Sequence, residues 1–312
     1  MRHDRPVKRV VVTFRGRPDM RAAILDVLGD DAEVVFLADA ASRPDALAGA
    51  DAVITWNINI ELDADELAGL GPVLLQLVSA GAEFVPFDRL SPETTLAANA
   101  GGWAEPMAEH VLALTLALAK RLPQNHAAMR RGEFDQETQN RRLRGAVVGI
   151  LGFGGIGKAS ARLFEALGAR VVPVGRSDDL SGVLPECDVL LVAVPLTRAT
   201  RGMIGARELA SMKPDAIIVN VARAAIVDED ALYEHLVRNP SFSAGLDVWW
   251  QEHPFESRLP FLDLPNVIGS PHNSAMAEGS LPAAAGHAAE NVLRFVRGEP
   301  ALHVIDAREY VY

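Results

Sequence analysis

Three side chains suited to acid–base chemistry on a carboxylic acid follow three strand-like runs of the sequence. The pairs of run and residue are 217–221 with Arg223, 243–247 with Glu252, and 266–270 with His272. A guanidinium can clamp a carboxylate with two hydrogen bonds, an imidazole can exchange a proton near neutral pH, and a carboxylate beside an imidazole stabilises its protonated form. The carboxyl ends of parallel strands meet at one edge of a sheet, so these side chains are expected to lie together. The set predicts carbonyl reduction of an acid.

Each of these residues has a simpler interpretation when it is taken alone. Arg223 can be a structural ion-pair partner, and Glu252 can be a solvated loop carboxylate. His253 competes with His272 because it lies beside Glu252, but neighbours on an extended chain point to opposite sides. His110, on a predicted helix, is expected to be packed at a domain junction.

A glycine-rich turn joins a strand-like run to a predicted helix. It follows "AVVGIL" and opens "KASARLFEALGA", so backbone N–H groups and the helix N-terminus converge on a place for a pyrophosphate. Without that setting the glycines would indicate an ordinary turn, but five further strand-like runs follow and favour a dinucleotide-binding sheet. The predicted cofactor contacts in this turn are Gly152, Gly154, Gly155, Ile156 and Gly157.

The second strand of this unit ends without the carboxylate that would bind the ribose of NAD. The chain has Gly175 there, followed by Arg176 and Ser177, which can donate to phosphate oxygens. An acid at this place would repel a 2′-phosphate, so the ending predicts NADP, with NAD as the alternative. In the competing interpretation Arg176 is a solvated loop residue, and Asp178 or Asp179 reaches back to the ribose.

Composition limits the classes of function. The 312 residues suit two domains, and the formal net charge of −11 argues against nucleic acid or an anionic membrane as the main partner and for a small molecule. The single cysteine, Cys187, excludes an internal disulfide, and no metal site is predicted. The N-terminus has no signal-peptide shape, and "VLALTLALA" at 111–119 is too short to span a membrane, so we expect a cytoplasmic protein.

Short apolar runs separated by helix-period stretches predict parallel α/β layers. The predicted strands are 7–14, 32–38, 51–56, 73–78 and 95–98 in the first half, and 146–151, 170–175, 189–194, 217–221, 243–247 and 266–270 in the second. A helix is predicted over 104–120, and another over 281–298 with Val292, Leu293 and Phe295 on its apolar side. The polar connection 123–145 has little period and is predicted to be an irregular surface segment.

The ordered motifs resemble those of the D-2-hydroxyacid dehydrogenases over nearly the whole chain. The segments that carry the resemblance are "SAGAEF", "AEHVLALTLALAKR", "GFGGIG", "VNVARAAIVDEDAL", "AGLDVWWQEHP" and "LPNVIGSPHNSA". The resemblance implies two Rossmann-like α/β domains: a flavodoxin-like substrate domain made of 1–100 and 281–312, and an NAD(P)-binding Rossmann domain over 101–280. It also implies a homodimer built through the nucleotide domains.

The resemblance assigns roles by position. Arg223 would bind and polarise a 2-oxo acid, His272 would be the general acid in reduction, and Glu252 would be its paired carboxylate. Backbone N–H groups near Ala80 and Gly81 would hold the substrate carboxylate. The remaining implied contacts are with the cofactor, and they are Pro195, Thr200, Ala222 and Asp247, the last facing the nicotinamide amide.

The chain departs from the family pattern in three places. The usual Arg-Gly-Gly is Arg223-Ala224-Ala225, so this turn must avoid the positive φ that glycine tolerates. The usual Glu-Pro is interrupted by His253. The small apolar residues common after the histidine are here Asn273 and Ser274.

Two tryptophans bear on the substrate. Trp56 in "VITWNINI" and Trp103 in "AGGWAEPM" can wall a pocket or simply pack in the core. Similar segments occur in glyoxylate and hydroxypyruvate reductases of the family, which favours a small 2-oxo acid reduced with NADPH. Formate and phosphite dehydrogenases of the same fold, and a non-enzymatic nucleotide-sensing protein, are the alternatives. The roles of Trp249 and Trp250 stay open.

Overall fold

The computed structural model of the chain describes residues 8–310. Outside this range lie residue 7 of the first predicted strand, the first seven residues of the N-terminus judged for a signal peptide, and residues 1–7, 311 and 312 of the predicted substrate domain. The chain folds into two compact units. One comprises the residues up to Trp103 together with those from Ala277 onward, and the other runs from Ala104 to Met276.

The described residues form eleven strands and eleven α-helices. The strands are β1 (Lys8–Val12), β2 (Ala32–Phe36), β3 (Ala52–Thr55), β4 (Leu74–Leu77), β5 (Thr95–Ala97), β6 (Val147–Leu151), β7 (Arg170–Val174), β8 (Val189–Val192), β9 (Ile217–Asn220), β10 (Ser243–Leu246) and β11 (Val267–Gly269). The helices are α1 (Pro18–Leu28), α2 (Arg43–Ala48), α3 (Ile58–Glu61), α4 (Ala64–Gly69), α5 (Ala104–Ala119), α6 (Leu122–Arg130), α7 (Gly155–Ala166), α8 (Leu180–Val183), α9 (Ala206–Ser211), α10 (Glu229–Arg238) and α11 (Ser280–Val296).

The first unit is built on a five-stranded parallel sheet with the order β2-β1-β3-β4-β5. This is the flavodoxin-like order, as predicted. The strands β3 and β4 are buried along their whole length, which explains why they are mostly apolar and do not alternate. The two polar residues in them, Thr55 and Gln76, are themselves buried.

The second unit contains a six-stranded parallel sheet with the order β7-β6-β8-β9-β10-β11. The strand order reverses between β6 and β8, and ligands of open α/β sheets bind at the carboxyl ends beside such a reversal. The last residues of β8, β9, β10 and β11 lie in register: Val192 pairs with Asn220, Asn220 with Leu246, and Leu246 with Gly269. The loops that follow these strands therefore leave the sheet at one edge.

The sequence prediction was wrong for part of the polar connection, because α6 is helical. None of its residues is buried. Apolar periodicity reports which face of a helix is buried, so a helix that is exposed all round has no period to detect. Its helix-favouring composition, with Ala127, Ala128 and Met129, was the available signal.

The C-terminal helix forms as predicted, but only part of its predicted apolar side is fully buried. Val292 is buried, whereas Leu293 and Phe295 are only partly so. The fully buried positions are mainly small ones, and they are Ala284, Ala285, Ala288 and Ala289. Small side chains let α11 lie close to α1: a methyl group added at Gly286 would be 3.8 Å from the Cβ of Ala23.

His235 on α10 gives a testable pH dependence. Its Nδ1 lies 3.4 Å from the amide nitrogen of Asn239, a donor, so the ring proton belongs on Nε2, which is buried without a hydrogen-bond partner among the described residues. Burial lowers the pKa of His235 below its usual value. The folded protein therefore keeps the ring neutral at a pH where the unfolded chain, with a pKa of about 6.5, takes up a proton.

We expect this burial to cost stability as the pH falls below about 6.5, because the unfolded state then binds the extra proton. His235→Phe should remove that loss, and an aromatic ring there can keep the edge-to-face contact with Phe242 at 4.5 Å between centroids. Urea unfolding of both proteins at pH 8 and pH 5.5 measures the difference. Equal pH dependence in the two proteins would contradict the prediction.

Candidate functional site

The turn that carries Arg223 is fixed by Asn220, the last residue of β9. The Asn220 side chain is buried, its amide donates to the Arg223 carbonyl at 3.0 Å, and its carbonyl accepts from the Ala222 N–H at 3.0 Å. Arg223 is half-buried and donates from Nη1 to the Ala222 carbonyl at 2.7 Å. Neither Ala224 nor Ala225 has a positive φ, so the Arg-Ala-Ala turn avoids the glycine-only conformation as predicted. Asn220 was not anticipated, although its place at a strand end was a signal.

The central feature of the site is a hydrogen bond between His272 and Glu252. Nδ1 of the ring lies 2.8 Å from Oε2 of the carboxylate. Because a carboxylate only accepts, Nδ1 carries a proton, and Nε2 is the nitrogen available for exchange with a ligand. The side chains are 38% and 24% exposed, so the pair is accessible from outside the second unit's core.

Glu252 is held in its ionised form. Burial alone would raise the pKa of Glu252, but the hydrogen bond with His272, the Trp249 N–H at 3.0 Å and the positive charges of His272 and Arg223 together bring it below the usual value. A carboxylate that stays charged can stabilise an imidazolium ring through a proton transfer. The positive charge of Arg223 contributes to the lowered pKa of Glu252, and the catalytic roles of the three side chains stay predictions.

Asp247, at the end of β10, anchors the segment that contains His272. Its carboxylate is fully buried and accepts from the Ser270 hydroxyl at 2.6 Å, the Asn273 N–H at 3.1 Å and the Ser274 N–H at 3.0 Å. Asn273 and Ser274, the departures from the family pattern, thus contribute backbone donors that any residue would supply. These contacts were not foreseen. A contact of Asp247 with the nicotinamide stays a prediction.

His253 and His110, the two other histidines considered from the sequence, have different surroundings in the structure. His253 is exposed, and the carboxylate beside it in sequence is bonded to His272 instead. His110, assigned to packing by the sequence, lies in the second unit with Nε2 2.8 Å from the Ser270 hydroxyl.

The glycine-rich turn follows β6 and opens α7. Gly152 has φ +96°, and an added methyl group would lie 2.5 Å from the Ala193 carbonyl oxygen after β8. A methyl group at Gly157 would collide with the Gly152 carbonyl oxygen. One at Gly154 would meet no atom within 4 Å in the described part of the chain, its two chain neighbours aside. The α7 N-terminus has no side-chain cap. The backbone N–H groups in the first turn of α7 therefore have no side-chain partner at the cap, and open space lies beside Gly154. This arrangement fits the pyrophosphate of a dinucleotide.

Comparison with known proteins identifies the family. Residues 112–274 match the sequence profile of the D-isomer specific 2-hydroxyacid dehydrogenase NAD binding domain. A glycerate dehydrogenase from Methylorubrum extorquens is 33% identical over 263 residues, which cover 80% of this chain and 83% of that protein. The chain belongs to the D-isomer specific 2-hydroxyacid dehydrogenases. It is therefore an NAD(P)-dependent oxidoreductase, as predicted.

Two further relatives place the enzyme within this family. A D-3-phosphoglycerate dehydrogenase from Methanocaldococcus jannaschii is 36% identical over 215 residues, 64% of this chain, and the match spans only 41% of that longer protein. The solved structure of an NADPH-dependent glyoxylate/hydroxypyruvate reductase from Sinorhizobium meliloti, in complex with NADP and sulfate, has a TM-score of 0.80 at 25% identity, covering 97% of this chain and all of that one. The two-domain parallel α/β fold is thereby confirmed.

In the enzyme, two acidic residues, Asp178 and Asp179, follow β7 close in sequence to Arg176, the residue predicted to bind the 2′-phosphate. Asp178 Oδ2 accepts from the Gly175 N–H at 2.7 Å, and Asp179 caps α8 by accepting from the Ser181 N–H at 2.9 Å. Both carboxylates that the competing interpretation assigned to the ribose thus have backbone partners. Arg176 and Ser177 are exposed in the same turn.

The turn after β8 is held by Thr200. Its hydroxyl donates to the Pro195 carbonyl at 2.7 Å and accepts from the Thr197 N–H at 2.8 Å. In the enzyme Thr200 therefore shapes the turn that carries Pro195. A direct contact of either residue with the cofactor stays a prediction.

In the first unit, the predicted substrate residues follow β3 and β4. Ala80 is exposed and Gly81 is buried, and the turn is fixed by Ser79, whose hydroxyl donates to the Gly81 carbonyl at 3.0 Å and whose carbonyl accepts from the Asn99 N–H at 2.9 Å. Their N–H groups stay predicted ligands of the substrate carboxylate.

Trp56 and Trp103 lie against each other in the first unit. Their rings meet edge to face at 5.5 Å between centroids, and Phe14 packs on Trp56 at 6.3 Å. Trp103 is buried and donates its indole N–H to the Val78 carbonyl at 2.8 Å, which is the behaviour of a packing residue. Trp56 is partly exposed, so both a pocket wall and core packing stay open as its role.

Glu61 on α3 is a further residue that the sequence did not reveal. Its carboxylate accepts from the Thr55 hydroxyl at 2.8 Å, the Trp56 N–H at 3.0 Å and the Asn57 N–H at 2.8 Å. It thereby fixes the backbone that presents Trp56.

Trp249 and Trp250 each donate an indole N–H to a backbone carbonyl of the second unit. The indole of Trp249 donates to the Ser270 carbonyl at 2.9 Å, so Trp249 supports the segment that carries His272. Trp250 donates to the Val227 carbonyl at 3.0 Å and stacks on Phe261. Both therefore pack on the core of the second unit, and a contact with the nicotinamide or in a dimer stays a prediction.

Among residues 8–310, no helix is both long and apolar enough to cross a bilayer.

Proposed function

We propose that this enzyme reduces a small 2-oxo acid of the glyoxylate or hydroxypyruvate type to the D-2-hydroxy acid, and that it prefers NADPH. The observation that carries the proposal is the 2.8 Å hydrogen bond between His272 Nδ1 and Glu252, at the same sheet edge as Arg223 and the uncapped helix N-terminus. The names of the relatives, a glycerate dehydrogenase and a glyoxylate/hydroxypyruvate reductase, support the substrate class.

In the proposed mechanism each side chain has one task. Arg223 binds the 2-oxo acid through its carboxylate and carbonyl oxygens and draws electron density from the carbonyl carbon. A bound NADPH supplies the hydride. His272 delivers the proton from Nε2 to the carbonyl oxygen, and Glu252 holds Nδ1–H and stabilises the imidazolium form that precedes transfer. The family resemblance implies that backbone N–H groups of Ala80 and Gly81 also hold the substrate carboxylate.

The charged residues that follow β7 support the preference for NADPH. Gly175 leaves room beside the strand, and Arg176 and Ser177 supply donors for a phosphate. Asp178 and Asp179 are engaged by backbone N–H groups, which reduces their availability to a ribose hydroxyl. The Sinorhizobium meliloti neighbour, described as NADPH-dependent, supports the same choice.

Glu252 favours a 2-oxo acid over formate as the substrate. A formate dehydrogenase is expected to pair its histidine with glutamine, whereas the carboxylate here serves proton transfer to an oxyanion. Phosphite oxidation is the second alternative within the fold.

The test is oxidation of NADPH and of NADH, followed at 340 nm with glyoxylate, hydroxypyruvate, pyruvate, phenylpyruvate and 2-oxoisocaproate. We expect turnover of NADPH with the small acids, and slower turnover as the side chain grows. Formate and phosphite, offered with NADP⁺ and NAD⁺, serve as the opposing arm. Turnover with either of them and none with the 2-oxo acids would overturn the proposal. NADPH binding without any turnover would indicate a nucleotide-sensing protein.

Gly175→Asp is expected to shift the preference toward NADH, because the new carboxylate would repel a 2′-phosphate. The backbone of Gly175 does not have a positive φ, and an added Cβ would lie 3.2 Å from Asp178 Oδ2, the end of a movable side chain. The ratio of kcat/KM for NADPH and NADH measures the effect. Gly182→Asp, which adds the same charge at an exposed glycine on α8, is the matched control. An unchanged ratio in Gly175→Asp would mean that this position does not read the phosphate.

The homodimer and the cytoplasmic location stay predictions. Light scattering of the purified chain tests the first, with twice the 33.5 kDa chain mass expected.

A further inference from the structure

Behind the segment that carries His272, three side chains form a continuous hydrogen-bonded chain. We call residues 270–274 the acid–base loop. His110 Nε2 on α5 lies 2.8 Å from the Ser270 hydroxyl oxygen, and that hydroxyl donates to Asp247 Oδ1 at 2.6 Å. His110 Nε2 is also 3.8 Å from Asp247 Oδ1. The chain runs from a helix, through the loop, to the end of a central strand.

The protons in this chain can be assigned by counting donors. A serine hydroxyl has one proton, and Ser270 gives it to Asp247, whose carboxylate only accepts. The contact with His110 therefore needs the imidazole as donor, which places a proton on Nε2. His110 is thus more than a packing residue, because it donates a hydrogen bond to the hydroxyl that Asp247 holds.

The acid–base loop needs such support. His272 has φ +51°, a left-handed conformation that is uncommon for a residue other than glycine. A conformation of this kind persists when its surroundings over-determine it. Asp247 binds the loop on both sides of His272, through the Ser270 hydroxyl before it and the Asn273 and Ser274 N–H groups after it. Of these three donors, the Ser270 hydroxyl is the one that His110 contacts.

We propose that His110 is a positioning residue for His272. It donates to Ser270, which fixes the Ser270–Asp247 bond and, through it, the left-handed backbone that aims the His272 ring at the substrate. The inference rests on the proposed function, because it concerns the proton donor of that reaction. His110 touches neither substrate nor the reacting atoms.

The first test compares three variants. His110→Leu removes the donor at similar size, and we expect kcat to fall about 10- to 100-fold, since a shift of about 1 Å in a reacting group can cost that much. The KM for NADPH should stay near its original value. His110→Gln keeps an N–H at the place of Nε2 and should restore most of the rate. His126→Leu, the same change at an exposed histidine on α6, should leave kcat unaltered.

A double-mutant cycle locates the effect in the chain. Ser270→Ala should lower kcat to a similar degree, and adding His110→Leu should cost little more, because both changes break the same connection. Additive losses, or a His110→Gln protein as slow as His110→Leu, would overturn the proposal. So would loss of thermal stability in His110→Leu with kcat unchanged in the folded protein.

A readout independent of activity is the protonation of His110 itself. Nitrogen-15 NMR of the unmodified protein should show Nε2 of His110 protonated, and an unprotonated Nε2 would overturn the inference even if the variants do not fold. Failure of the proposed function gives a different result. In that case no 2-oxo acid is reduced, while the NMR signal still reports on the His110–Ser270 bond. Turnover that is lost in His272→Ala and intact in His110→Leu removes this inference alone.

Discussion

His272→Ala is expected to lower kcat by about 10²- to 10⁴-fold, the range that a positioned general acid contributes. Its Nδ1 is bonded to Glu252 at 2.8 Å, and the exchanging nitrogen is therefore Nε2. The ring belongs to the loop after β11, whereas the predicted pyrophosphate site is the glycine turn after β6. NADPH should therefore bind with nearly unchanged affinity. Steady-state kinetics and a fluorescence titration with NADPH separate the two quantities.

The matched control is His253→Ala. His253 is exposed, belongs to the same edge of the sheet and follows Glu252 directly in sequence. Its removal should leave kcat within a few-fold of the original. A reversed result, with His253→Ala inactive and His272→Ala active, would show that the loop rearranges around its substrate and that the Glu252–His272 bond is not the acid–base pair.

Gly157→Ala is the second prediction with a large expected effect. A methyl group there would be driven against the Gly152 carbonyl oxygen, a backbone atom that cannot turn aside, and would lie 3.1 Å from Ile150 Cγ2. Overpacking of this kind costs about 1–3 kcal/mol of stability or more. We expect a lower urea midpoint and a large loss of NADPH affinity, because α7 must move away from β6 to admit the methyl group.

Gly154→Ala separates stability from cofactor binding. Among residues 8–310, no atom beyond Gly154 and its two chain neighbours lies within 4 Å of the added methyl group, so the free energy of unfolding should change little. The same methyl group would occupy the space through which a pyrophosphate approaches the N-terminus of α7, and the Kd for NADPH should rise. Equal destabilisation of both variants, or unchanged NADPH affinity in Gly154→Ala, would contradict a pyrophosphate at this turn.

Much of the fold could be predicted because its signals are local. The strands β6 and β8 are buried on both faces of a parallel sheet. Complete burial of a strand requires apolar residues at successive positions, so such strands can be identified as continuous apolar runs in the sequence. The α6 segment was mistaken for irregular chain because none of its faces is buried. On α11 the apolar end residues were taken for the packed face, although close approach of two helices favours alanine.

The sequence by itself determined the reaction type and the cofactor class, since Arg223, Glu252, His272 and the glycine turn are identifiable from residue type and position after strands. The tertiary structure alone decided how the residues are connected. It gave the predicted His272–Glu252 pair its 2.8 Å hydrogen bond, made Asp247 the anchor of the acid–base loop, and linked His110 to that loop through Ser270. These bonds join residues 20, 23 and 160 positions apart. No local periodicity records such a pairing, because a hydrogen bond depends on where loops from different strands end in space, to within a few tenths of an ångström.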